Sequence, residues 1–254
     1  MTELHPGDGS MDKSAEYNVW HRSMATAEAA SEVPLYPWHA TVLKLLPNLN
    51  GKRVLEVGCG RGDFARLLAT RYPEASITAT DFSDTAIELA RAKAELPANV
   101  NFLVADAQAL PFDADSFDMM ISCECLEHVE SPPLMLSSMA RCLVPGGEFV
   151  LTTENYFNGM LLAWLKAVLK DESFNSGSGV QLRENFFLFW RVRRMIEAAG
   201  LTITHMESNH FVWLLLPRFD PDTFFTRDVK NPFLKKIFRP FGRHFTYVGS
   251  KRSA

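Results

Sequence analysis

Excess positive charge, paired cysteines and long apolar runs are all missing from this chain of 254 residues. Its 26 Lys and Arg are outnumbered by 30 Asp and Glu, for a formal net charge of −4. That balance excludes the electrostatic footprint of general nucleic-acid binding. The four cysteines, Cys59, Cys123, Cys125 and Cys142, fall in no C-x-x-C spacing. They do not make a zinc ribbon, and they read as reduced thiols of a cytoplasmic protein. No apolar stretch reaches the ~20 residues that a membrane-crossing helix needs. The start of the chain has no basic segment followed by an apolar run, so no signal peptide is expected. Internal repeats and low-complexity tracts are absent as well.

Glycine is also sparse, 14 in all, yet three glycines alternate in the run Val54-Leu55-Glu56-Val57-Gly58-Cys59-Gly60-Arg61-Gly62-Asp63-Phe64. An apolar strand leads into a glycine turn, and a helical pattern (Phe64, Leu67, Leu68) follows. Such a turn lets a ligand approach bare backbone N–H groups at a helix start. A dinucleotide turn is written G-x-G-x-x-G. Here Asp63 stands where its third glycine belongs, and the third glycine is Gly62. A pyrophosphate would sit badly beside Glu56 and Asp63. A cofactor carrying a sulfonium and an ammonium would sit well there.

The rest of the chain alternates strands with helices. Helices are expected near 14–30 and 37–46, separated by Pro34–Pro37, and residues 1–13 are expected to be disordered. Strands are expected at 53–57, 76–80, 100–104, 117–122, 148–153, 201–206 and 244–249. The intervening helices run to about Arg71, from an Asp84 N-cap to about Lys93, through Leu143 after the fourth strand, and over 191–199 up to Gly200. Pro145-Gly146-Gly147 reads as a turn into the fifth strand. This rhythm predicts βαβ units, an α/β Rossmann-like fold and a mostly parallel sheet with helices on both faces. Right-handed crossovers gather the strand C-termini along one edge, where ligands bind. Glu56, Asp81 and Asp106 all fall on that edge.

The glycine run has the form E-x-G-x-G-x-G and resembles the first motif of the class I S-adenosylmethionine-dependent methyltransferases. The resemblance is strong over about 50–154 and weaker elsewhere. It implies a seven-stranded sheet whose sixth and seventh strands pair antiparallel at one edge. It implies that Gly58, Gly60 and Gly62 underlie the methionine part of S-adenosylmethionine, with Glu56 near its amino group. Asp81 corresponds to the carboxylate that accepts both ribose hydroxyls, a task that suits its two acceptor oxygens. Phe82 is placed to pack on the adenine face. Asp106 and Ala107 correspond to the pair that reads adenine, and Cys123 to a backbone contact after strand four. S-adenosylhomocysteine is the implied product.

The segment Asp115-Ser116-Phe117-Asp118, followed by Ser122-Cys123-Glu124-Cys125-Leu126-Glu127-His128-Val129, resembles the ubiquinone-pathway O-methyltransferases and their wider family. Glu124, Glu127 and His128 have E-x-x-E-H spacing, which places them on one face if the segment is helical. Such a set could hold a divalent ion, as in some small-RNA 2′-O-methyltransferases, with His210 a guessed fourth ligand. His128 is read first as a general base, and no metal site is assigned. A base helps a hydroxyl nucleophile more than an amine, so the expected activity is O-methylation of a small or medium acceptor: a natural product, sugar, quinone precursor or lipid-like molecule. N-methylation and a non-catalytic cofactor-binding role are the alternatives. One methyltransferase domain is expected over 14–254, with 14–50 as N-terminal helices and lid, 51–154 as the cofactor-binding core, and 155–190 and 210–241 as acceptor-side inserts. Tyr17, Trp20 and His21 are the lid candidates, and Trp164, Trp190 and Trp213 lie in the inserts. The same apolar segments would equally serve a homodimer face. Residues 233–243 mix Phe, Leu and Ile with Lys and Arg, a composition that fits peripheral membrane contact.

Overall fold

The computed structural model describes residues 15, 17–19, 21–22, 36–93, 95–157, 168–169, 185, 187–211 and 232–253. Its elements are α1 (Pro37–Leu45), β1 (Arg53–Val57), α2 (Asp63–Arg71), β2 (Ser76–Asp81), α3 (Asp84–Ala92), β3 (Val100–Val104), β4 (Phe117–Cys123), α4 (Pro132–Cys142), β5 (Leu143–Glu154), α5 (Phe189–Ala198), β6 (Leu201–Phe211), α6 (Pro232–Phe238) and β7 (Gly242–Lys251). The described residues between 15 and 22 are also helical.

The seven strands form one sheet in the order β3-β2-β1-β4-β5-β7-β6. The first five strands pair in parallel. Strand β7 inserts antiparallel between β5 and β6. Chain direction from β1 runs to β2 on one side and to β4 on the other, so the switch point lies between β1 and β4. The turns after these two strands therefore face each other.

Side chains alternate between the two faces of the sheet, as the two-residue period of a strand demands. Leu55, Val57, Met120, Phe149, Leu151, Phe245 and Tyr247 pack with α4 and α5 residues such as Leu136, Met139, Val192 and Ile196. Val54, Ile77, Ala79, Met119, Ile121 and Val150 point the other way, against Val42 of α1, Phe64 and Leu68 of α2, and Ile87 of α3. Both faces are covered, which is why the central strands read as continuous apolar runs.

Several sequence expectations are corrected. Residues 124–131 form a turn rather than the start of a helix, and α4 begins only at Pro132 with proline in its first positions. Proline lacks the N–H that a helix interior needs but fits its first turn. The α3 cap is Ser83, whose hydroxyl accepts the Ala86 N–H at 3.0 Å, and Asp84 is the first helical residue. Strand β5 starts at Leu143 instead of 148. The Pro145–Gly147 stretch is absorbed in an irregular register, with Leu143 opposite Phe117 and Glu148 opposite Met119. Strands β6 and β7 extend beyond their expected limits to Phe211 and over Gly242–Lys251. The N-terminal 1–13 and most of 155–190 and 210–241, with Trp20, Trp164, Trp213 and the His210 side chain, lie outside the described residues.

Candidate active site

The glycine loop crosses from β1 to α2 with φ near +76° at Gly58, +53° at Gly60 and +75° at Gly62. L side chains rarely adopt this left-handed region. Close packing adds a second demand at two of these positions. A Cβ on Gly58 would lie 2.5 Å from Cys125 Sγ, and one on Gly62 would lie 2.5 Å from Phe102 Cε1. The Gly58 and Cys59 amides both donate to Thr80 O, at 2.8 and 2.9 Å, which ties the loop to β2.

Asp81 joins this loop to the next one. Its Oδ2 accepts the Gly60 N–H at 2.8 Å and its Oδ1 the Ser83 N–H at 2.9 Å. Burial raises its pKa, and the backbone donors of Ser83, Gly60 and Phe82 oppose that rise. Each oxygen keeps further acceptor capacity. Phe82 is 37% exposed beside it. Asp106 follows β3 and turns inward on its own loop, accepting the Gln108 N–H at 2.9 Å and so capping a short 3₁₀ turn over Ala107–Ala109. Asp63 forms an ion pair with Lys93.

Glu56 is the least satisfied of these acids. It is 2% exposed, and its Oε2 has no hydrogen-bond partner among the described residues. Burial, followed by the nearby Asp81 and Asp63 carboxylates, pushes its pKa up to about 8. A buried carboxylate without a donor is costly unless a cation completes it. The glycine amides are engaged within the protein rather than bare, so what the residues present offer S-adenosylmethionine is a cradle without side chains at Gly58, Gly60 and Gly62, an orphaned acid for an ammonium, and Asp81 at the end of β2.

Residues near the N-terminus lie over this edge. Asn18 Oδ1 accepts from Ser83 Oγ at 2.6 Å, and Arg22 Nη2 donates to Thr85 Oγ1 at 3.3 Å. The Tyr17 ring meets Phe82 edge-on, with centroids 5.9 Å apart. His21 is buried, and its Cε1 lies 4.0 Å from where a Gly60 Cβ would be. Burial, then Arg61, lowers its pKa to about 4.

On the other side of the switch point, the turn after β4 carries Glu124, Glu127 and His128. The structure keeps the three close together but gives each its own partners. Glu124 has a positive φ of 49°. Its Oε2 meets His244 Nδ1 at 3.0 Å, while its own N–H donates to Thr152. Glu127 is 1% exposed and accepts from Thr153 Oγ1 at 2.8 Å. His128 Nε2 lies 3.8 Å from Glu127 Oε1. Asn185 braces the turn through Glu127 O and Val129 O. Burial, then Glu154, pushes the Glu124 pKa to about 8, and burial followed by Glu124 raises that of Glu127. Glu154 pairs with Arg243 at 2.9 Å. The His244 imidazole lies under the Trp38 ring, with centroids 5.1 Å apart, and burial lowers its pKa to about 3. Cys123 is partly buried at the end of β4, and burial raises its thiol pKa. All four cysteines are free.

Sequence reasoning missed Glu154, His244, Trp38, Asn18 and Asn185. Glu154 was legible, since it ends its strand in a carboxylate as Glu56 nearly does. His244 was not, because 120 positions separate it from Glu124 and only the β5–β7 pairing brings them together.

A family model described as "Methyltransferase domain" matches residues 54–147. The chain is similar to the malonyl-[acyl-carrier protein] O-methyltransferase of Paenibacillus sp., 39% identical over 105 residues, which are 40% of this chain and 38% of that protein. It is likewise similar to the ubiquinone biosynthesis O-methyltransferase of Coxiella burnetii, 38% identical over 108 residues, 42% of this chain and 45% of that protein. The matched part thus spans under half the length of these relatives. A Haloferax volcanii protein solved in complex with the Trm112 methyltransferase activator shares the fold at TM-score 0.61 and 22% identity, over 95% of this chain and 98% of that one. Haemonchus contortus phosphoethanolamine N-methyltransferase 2, solved with S-adenosylmethionine, does so at 0.66 and 19%, over 98% of this chain and 61% of that one. The glycine cradle, the sheet order and the sequence matches agree: residues 54–147 match a methyltransferase domain, and the described fold is that of the class I S-adenosylmethionine-dependent methyltransferases.

Proposed function

We propose that this chain transfers a methyl group to a small or medium acceptor, with a hydroxyl as the nucleophile. The orphaned Glu56 carboxylate beside the three positive-φ glycines carries the reading. Bound S-adenosylmethionine supplies a methyl carbon already activated by its sulfonium. The chain's own work is then alignment and proton removal. Glu56 holds the cofactor's ammonium, Asp81 accepts from the ribose hydroxyls, and Phe82, Asp106 and Ala107 bound the adenine. Cys123 offers backbone at the end of β4. Residues 17–19, 21 and 22 cover the cofactor.

His128 is the base that takes the hydroxyl proton as the new bond forms. The Paenibacillus and Coxiella relatives are named for O-methyl transfer, which agrees with a hydroxyl acceptor. A second reading, N-methylation of an amine, is favoured by one observation: Glu124, Glu127 and Glu154 crowd the acceptor edge with carboxylates. Such an edge attracts a cation.

The test is a panel of hydroxyl and amine acceptors with isotopically labelled cofactor, read by product mass and methyl position. A labelled O-methyl product is expected. An N-methyl product replaces the first reading by the second, and a cofactor-loaded protein that turns over no acceptor refutes both. His128→Ala should lower turnover by roughly 10²–10⁴-fold at unchanged cofactor affinity. Full turnover in that variant removes His128 from the mechanism.

A further inference from the structure

Three strands deliver ligands to one point. Glu124 follows β4, Glu154 closes β5 and His244 lies near the start of β7, and one ligand atom from each lies within 4.8 Å of the others. The 3.0 Å between Glu124 Oε2 and His244 Nδ1 equals the separation of two ligands set at right angles about an ion roughly 2.1 Å from each. Glu154 and His244 side chains are 9% and 4% exposed, and that of Glu124 is 12% exposed. The arrangement is held by the sheet. Glu154 and His244 are direct partners across β5 and β7. Asn155 Nδ2 ties the same corner through Pro240 O at 3.0 Å and Gly242 O at 2.8 Å.

Charge and hydrogen bonding both leave room for a cation. The Arg243 guanidinium binds Glu154 Oε1 and lies near Glu124, while Glu127 neighbours Glu124 and Glu154. Taking carboxylates out of water is costly unless a cation completes them. Independently, Glu124 Oε1 is out of contact with solvent and accepts no hydrogen bond among the described residues.

We propose that Glu124, Glu154 and His244 bind one divalent transition-metal ion at the acceptor edge of the site. Two carboxylates and an imidazole suit Mn²⁺, Fe²⁺ or Zn²⁺ better than Ca²⁺, which takes oxygen ligands only. Arg243 stays on Glu154 Oε1 and leaves Oε2 to the ion. The set differs from the E-x-x-E-H expectation: His128 is not a ligand, and two residues remote in sequence are. Binding needs no acceptor. Only the ion's further use, polarising an acceptor oxygen, rests on the hydroxyl reading above.

The test uses the full chain, stripped with chelator and returned to buffer. Mn²⁺ is titrated with the free ion read by electron paramagnetic resonance, and Zn²⁺ by calorimetry. One ion per chain and a higher melting temperature with metal are expected. Glu124→Gln, Glu154→Gln and His244→Gln should each weaken binding at least about tenfold, with S-adenosylhomocysteine binding reporting an intact fold. Should a variant fail to fold, the Mn²⁺ complex of the unaltered chain decides, because a bound imidazole gives a nitrogen hyperfine coupling. A folded, cofactor-binding chain without stoichiometric uptake overturns the proposal. So does uptake that survives all three substitutions, or a complex lacking the nitrogen coupling. Failure of methyl transfer leaves these readouts untouched, so the two readings fall separately.

Discussion

Glu56→Gln should stabilise the free protein and weaken its cofactor binding, and both effects follow from one buried proton. In the unfolded chain this carboxyl ionises near 4.5, whereas in the folded chain burial, Asp81 and Asp63 hold its proton up to about pH 8. Between those values the folded state binds more protons than the unfolded state. Stability is therefore present below 4.5 and lost as pH rises toward 8. At 1.36 kcal/mol per unit, the loss at high pH is at most about 5 kcal/mol. Glutamine cannot ionise. The variant should match the parent below pH 4.5, gain on it through the window, and hold a constant advantage above pH 8.

Cofactor binding reverses the sign, because an ammonium beside the carboxylate favours its ionised form. At pH 7, binding should release roughly 0.9 of a proton, the protonated fraction of an acid with a pKa of about 8. Affinity should rise by nearly tenfold per pH unit from 6 to 7 and flatten beyond 8. Calorimetry with S-adenosylhomocysteine in buffers of different ionisation enthalpy counts the proton, and melting curves from pH 4 to 9 report stability. The glutamine variant should release none at this site and bind more weakly by about 1.5–3 kcal/mol, as for a lost charged hydrogen bond. If the unaltered protein releases no proton between pH 6 and 8, Glu56 does not hold the ammonium. If the variant melts lower at pH 8, the burial argument is wrong.

Other outcomes follow from single residues. Gly62→Ala places a Cβ 2.5 Å from Phe102 at φ +75°; left-handed strain of about 1–2 kcal/mol and overpacking of about 1–3 kcal/mol should show in urea denaturation, and a loss under ~1 kcal/mol would contradict the packing. Asp81→Ala removes the acceptor of the Gly60 and Ser83 amides and should weaken S-adenosylhomocysteine by about 1.5–3 kcal/mol; unchanged calorimetric affinity would remove Asp81 from the cofactor site. His39 stacks on Phe64 at 4.2 Å, and burial lowers its pKa to about 4 against the pull of Asp63. The unfolded chain then binds more protons from pH 4 to 6.5, so stability rises with pH by up to ~3 kcal/mol from this residue; His39→Phe should flatten that rise, and an unaltered slope would refute the assignment.

Much of the cofactor half was legible because its information is local. A strand, a glycine turn and a helix follow one another over 53–71, and each leaves a short-range mark: apolar run, positive-φ residue, 3.6-residue period. The acids at Glu56, Asp81 and Asp106 sit at strand ends, and parallel pairing of those strands necessarily collects them on one edge. Even the late start of α4 is marked in the sequence, by Pro132 and Pro133.

Tertiary structure decided what local pattern cannot express. Whether β7 lies inside or outside β6 depends on which edges pair, and both strands carry the same alternation. Its place beside β5 puts His244 on Glu124 and Arg243 on Glu154. Asp81 looked in sequence like a residue pointing at a ligand, yet it also clamps two loops through backbone amides. The state of each acid was likewise a property of the fold. Glu56 and Asp106 are the same kind of group in the sequence, but one is sealed in the sheet without a donor and the other caps an exposed turn. Desolvation and hydrogen bonding, which separate them, exist only once the chain has closed around them.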